Sequence, residues 1–195
     1  MTKRSDPPSA SDEQVRALLD RYECPVPFHE VRTRFLGNIA SPIMSASPLE
    51  VVKGLWGGEL PPFDTMDDVT QLLGALVMGL WNRLTQHQDR TNPFRLTLVA
   101  LEPLRESVSS TATLRRQEMD GFAEGLFGSK DDVDLPERAD EGMTWLADLR
   151  AMFVAIADLT SDPTKPATEK DLKVTRDHVR EVTRIAEGEI NAIPL

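Results

Sequence analysis

Apolar residues recur along most of this chain at steps of three and four, the spacing that puts them on one face of an α-helix. Ser11 with Gln14 three residues on forms a capping box and predicts a short helix to about Tyr22. Pro25 and Pro27 end it, and a second helix is predicted from Phe28 to about Ala40. Ser47-Pro48-Leu49-Glu50 reads as a serine cap with proline at the first helical position, and Gly57-Gly58 closes that short helix. From Thr65 to about Gln86 the positions Val69, Leu72, Leu73, Leu76, Val77, Leu80 and Leu84 make the clearest stripe in the chain, widened by Trp81. A helix this apolar is expected to be the central one.

Asn92-Pro93 predicts a further short helix to about Leu101, limited by Pro103. The next helix begins near Thr113, with Leu114, Met119, Phe122, Ala123, Leu126 and Phe127 inward and Gly128 as its C-cap. Ser129 to Asp134 reads as an acidic loop. Pro136 opens a long helix with Trp145, Leu149, Met152, Ile156 and Leu159 on one stripe and Leu146 and Phe153 on another, a pattern predicting burial on more than one side. Thr168 with Asp171 caps the last helix, whose narrow stripe is Leu172, Val179, Val182 and Ile185. No segment shows strand alternation, and there is no internal repeat. The expectation is an all-α irregular bundle of seven or eight helices with a more loosely attached C-terminal helix. Residues 1–10 are expected to form a flexible tail, 11–160 the helical domain, 161–167 a linker and 168–195 the C-terminal amphipathic helix.

Composition narrows the function classes. A 195-residue chain is one domain's worth, and 40% hydrophobic residues suffice for a core. The formal net charge of −10 disfavours direct nucleic-acid binding and anionic membrane surfaces, and favours a basic protein partner. The longest apolar run, Leu72 to Trp81, is about half of the ~20 residues that cross a bilayer. Cys24 is the only cysteine, so neither an intrachain disulfide nor a four-cysteine zinc site can form, and this usage fits a reducing cytoplasm.

The chemistry-bearing residues form no recognised constellation. His29, His87 and His178 lack the four-residue spacing of a helical metal pair, and only a spatial meeting of His29 and His87 with carboxylates would make an enzyme. Asp132-Val-Asp134 fails as a calcium loop, because Glu137 and Met143 stand at its sixth and twelfth positions. The glycines at 54, 57 and 58 make no phosphate cradle, and Cys24 has no basic neighbour to activate it. Arg176, Arg180 and Arg184 lie four apart on the last helix. Residues 168–190 nevertheless hold five basic against six acidic residues, so a salt-bridged face is expected. No catalytic residue, cofactor or metal is predicted. Two candidate regions remain: a groove near Trp56, Trp81, Asn82 and Phe122, and an interface along Leu172, Val179, Val182 and Ile185 that docks on the body or on a second protomer.

An ordered set of short motifs carries a resemblance. Phe35-Leu36-Gly37-Asn38-Ile39 precedes a proline turn and Ser47-Pro48; then come Leu55-Trp56-Gly57-Gly58, Pro61-Pro62-Phe63-Asp64, Gly79-Leu80-Trp81-Asn82-Arg83-Leu84, Asp120-Gly121-Phe122-Ala123-Glu124-Gly125 and Trp145. From about Phe28 to Leu159 the chain resembles the YecA/YgfB-like family of small bacterial proteins. It departs at Thr33-Arg34, where the family often has His-Gly or Asp-Gly, and at Trp81, where a tyrosine is usual. It also lacks the SecA-like zinc tail of some relatives. The resemblance implies an all-helical, cytosolic bacterial protein without an agreed reaction, closer to an interaction or regulatory protein than to an enzyme. The function expected is thus a non-enzymatic module binding another protein, with a homodimer or a basic partner such as a DNA-binding regulator in view. The alternative is a small-molecule-binding bundle with its groove near Trp56, Trp81 and Phe122.

Overall fold

A computed structural model describes residues 10–42, 47–128 and 134–193. The expected tail at 1–9, most of the turn before Ser47 and the acidic loop at 129–133 lie outside the described residues. The described chain is all-helical: α1 (Asp12–Arg21), α2 (Phe28–Ala40), α3 (Pro48–Gly54), α4 (Met66–Leu73), α5 (Arg105–Phe127), α6 (Glu137–Ser161) and α7 (Glu169–Ala192). α4 runs on without a break into a π-helix (Gly74–Trp81), one α turn (Asn82–Leu84) and a 3-10 turn (Thr85–Gln88). Among the described residues, no helix is long and apolar enough to cross a membrane.

The caps form as local chemistry dictates. Ser11–Gln14, Thr65–Asp68 and Thr168–Asp171 make reciprocal capping boxes, and Ser47 accepts from the Glu50 N–H. Gly128 ends α5 at φ +60°, a conformation open to glycine.

The centre of the molecule differs from expectation. The closest packing is between α2 and α5, not around the α4 segment. Three glycines permit it. A Cβ on Gly37 would run into the Phe122 carbonyl, one on Gly125 into the Arg34 carbonyl, and one on Gly121 would stand 2.6 Å from the Glu30 carbonyl. Backbone therefore meets backbone, and Phe35 and Phe122 are sealed at 0% exposure on either side. The α4 segment packs beside this crossing: along its length, π-helical stretch included, Leu72, Leu76, Leu80 and Leu84 stay buried at or below 3% exposure, while Met78 on the opposite side stands 62% exposed.

α5, α6 and α7 form an antiparallel three-helix layer. Arg105 at the start of α5 donates to the carbonyls of Thr160 and Asp162 at the end of α6. Gly142 near the start of α6 admits Ile193 just beyond the end of α7, where Arg138 also pairs with Glu189 at 2.9 Å. The last helix is not loosely attached: Val179, Val182, Ala186, Ile190 and Ile193 are all at or below 2% exposure. The predicted linker is likewise pinned, since the Arg105 guanidinium also donates to the Lys165 carbonyl at 2.6 Å.

Residues 93–102 form an irregular strap rather than a helix, which corrects the helix expected from Asn92-Pro93 to Leu101. Phe94 and Leu96 plug into the core at 1% and 2% exposure. Side chains satisfy the strap's backbone. Asn191 accepts from the Phe94 N–H (2.7 Å) and donates to its carbonyl (3.0 Å). Glu187 accepts from the Leu96 N–H (3.0 Å). Glu118 accepts from the Thr97 N–H (2.8 Å), while Arg115 donates to the Thr97 carbonyl (2.7 Å). Arg115 and Glu118 are themselves an ion pair, 5% and 0% exposed, so two buried charges are neutralised by each other and by the strap.

Candidate functional site

The candidate groove residues have separate environments. The Trp56 indole N–H donates to the Tyr22 carbonyl at 2.8 Å. Trp81 meets Phe35 edge to face at 5.6 Å. Asn82 is exposed and its amide donates to the Met78 carbonyl, closing the π-helix from below. Phe122 is fully buried and lines a void of about 10 Å³ with Leu36, Phe94 and Asn191, room for a single water. Each of the four thus has a structural partner of its own.

The candidate interface on α7 divides. Val179 and Val182 are inside the chain's own core and unavailable to a partner, whereas Leu172 and Ile185 are half-buried at its margin. Arg176, Arg180 and Arg184 each pair with Asp177 or Glu181, and Arg180 also donates to the Leu101 carbonyl.

Two of the three histidines, His29 and His87, have partners within the fold. His29 Nε2 bonds with Gln117 at 2.9 Å, holding α2 to α5. His87 Nδ1 bonds with the Asn92 carbonyl and its ring meets Phe94 edge to face. Burial pushes the Cys24 thiol up, away from a reactive thiolate. Among the described residues, no group of three or more His, Cys, Asp or Glu side chains could hold a metal ion.

A cleft of about 770 Å³ lies between the start of α2, the second half of α5 and α6, with Met119, Phe127, Met143 and Leu146 among its apolar lining. Its charges are closed upon themselves. Arg116 and Arg150 share Asp120, and Arg34 takes both Glu30 and Glu124. Burial raises the Glu30 carboxyl above its ordinary range, with Arg34 opposing that shift.

α6 behaves unlike any other helix. Its apolar residues span a wide arc, of which α5 and α7 cover only the part holding Leu146, Leu149, Phe153 and Ile156. Trp145, Met152 and Leu159 are left 56%, 44% and 51% exposed. Steps of seven place these three within about 40° of one another, along about 21 Å of helix. The sequence expectation of burial on this side fails because periodicity reports an apolar face, not the presence of a neighbour to cover it.

Comparison with family models, curated proteins and solved structures finds no match for this chain.

Proposed function

We propose that this chain is a non-enzymatic protein-interaction module that engages another protein through the outer face of α6. The observation that carries the reading is the Trp145–Met152–Leu159 stripe, an aromatic followed by two aliphatics along one well-anchored helix. Exposed contiguous apolar surface of this kind marks association sites, and tryptophan is the residue most enriched among those that dominate binding energy. The YecA/YgfB-like resemblance supports the same reading, since that family has no agreed reaction.

The test is affinity capture from the native cell with the full chain beside a Trp145→Glu/Met152→Glu variant of matched circular dichroism. Proteins retained by the native chain and lost by the variant are expected. An identical set on both would overturn the reading.

A second reading places a small molecule in the cleft between α2, α5 and α6, whose volume falls in the range of ligand sites. It ranks second because its polar groups are already paired with one another. A library-wide thermal-shift screen without a hit that Met143→Trp abolishes would remove it.

A further inference from the structure

The charge pattern beside the exposed stripe says what kind of chain would cover it. α6 carries five acidic residues, Glu137, Asp140, Glu141, Asp148 and Asp158, against two arginines. At 100° per residue all five fall on one flank of the stripe, within an arc of about 100° that begins beside Met152. The two arginines lie elsewhere on the wheel and are committed: Arg138 to Glu189 at 2.9 Å and Arg150 to Asp120. Arg138 reaches Glu141 only at 4.0 Å, and no other acid on that flank has an ion-pair partner among the described residues.

Helix electrostatics account for the acids in the first turn, Glu137 and Asp140, and not for the others. Asp148 is mid-helix, and Asp158 sits in the last turn, where the helix dipole disfavours a carboxylate. An apolar stripe bordered on one side by a row of exposed carboxylates is complementary to a helix with the converse pattern.

We infer that the outer face of α6 is a docking site for a basic amphipathic helix, whose apolar residues cover Trp145, Met152 and Leu159 while its lysines and arginines meet Glu141 and Asp148. This rests on the interaction-module reading and adds the partner's chemistry to it. A second copy of this chain is the poorer occupant on electrostatic grounds: in an antiparallel pairing of two α6 helices like flanks meet, so the acidic rows would face each other.

The experiment titrates the full chain with three synthetic 18-residue peptides, reading polarisation of a dye on the peptide. One carries leucines at helical spacing with lysine and arginine on one flank. The second has glutamate in place of every basic residue, and the third scrambles the first. The basic amphipathic peptide is expected to bind at least tenfold tighter than either control. Asp148→Lys/Glu141→Lys should weaken it about tenfold and raised salt should weaken it further, since the paired charges are solvent-exposed. Equal binding of the acidic peptide, or no loss on charge reversal, overturns the inference. If the native chain still captures a protein that Trp145→Glu/Met152→Glu loses, the module reading survives that failure. A dimer in sedimentation equilibrium that Trp145→Glu dissociates would overturn the inference in favour of the second copy.

Discussion

α6 and α7 are near twins in length, 25 and 24 residues, and both carry apolar residues at steps of three and four. They differ in what becomes of those residues. On α7 the stripe is narrow, and α5, α6 and the strap absorb its second half: Val179, Val182, Ala186 and Ile190 are all at or below 2% exposure. On α6 the apolar arc is wider than its two neighbours can cover, so Trp145, Met152 and Leu159 overhang. A narrow stripe matched to the available neighbours becomes core, whereas the surplus on a wide one is left for something outside the chain. Substitutions on the two helices should therefore have opposite consequences, large on α7 and small on α6.

Val182→Asp should have the largest effect. It places a carboxylate without a partner at a 2% exposed position between packed helices. The cost exceeds about 5 kcal/mol, enough to unfold a domain of ordinary stability. Loss of the cooperative urea transition checks it; a native transition would mean that α7 peels away and is not part of the core.

Glu118→Gln follows, at about 3–5 kcal/mol, because it leaves the Arg115 guanidinium charged and buried without its counter-ion. Hydrogen exchange should localise the damage, with the Thr97 amide losing protection before the amides of α6. Gly125→Ala should cost about 1–3 kcal/mol, since its Cβ would collide with the Arg34 carbonyl and push α2 off α5. Calorimetry would show this as a fall in Tm, and Gly54→Ala, where a Cβ meets nothing within 4 Å, is the matched control.

These residues also show why part of the fold was readable from sequence and part was not. The caps at Ser11, Thr65 and Thr168 are local chemistry within four residues and form as read. The strap at 93–102 was not legible, because the groups that hold Phe94, Leu96 and Thr97 are Asn191, Glu187 and Glu118, as far as 97 residues away. Against that, Asn92-Pro93 carries a local helix-start signal that tertiary hydrogen bonds override. Gly37, Gly121 and Gly125 look like weak points in helices until the crossing they permit is known. At the candidate site, Trp145 and Met152 were singled out by spacing, but their outward direction is set by where α5 and α7 stop, which no local pattern encodes.

Thr168→Ala should cost about 1 kcal/mol by removing the α7 capping box. A parallel drop in the midpoints of near- and far-ultraviolet transitions would show that the last helix unfolds with the whole.

Trp145→Glu should have the smallest effect on stability and the most informative one. More than half of this side chain already faces solvent, and among the described residues it has no hydrogen-bond or ring partner, so little native interaction is lost. The new carboxylate does join an acidic helix, and Asp148 lies three residues away on the same flank, which adds a few tenths of a kcal/mol of repulsion. The net change in unfolding free energy should stay within about 0.5 kcal/mol in urea titrations followed by circular dichroism. The contrast with Val182→Asp then becomes sharp: the same charge introduced on the neighbouring helix dismantles the protein, while here it leaves the fold and removes only what the exposed surface binds. A loss above about 2 kcal/mol would mean that Trp145 is held by the chain's own packing, and the distinction between a saturated α7 and an overhanging α6 would collapse.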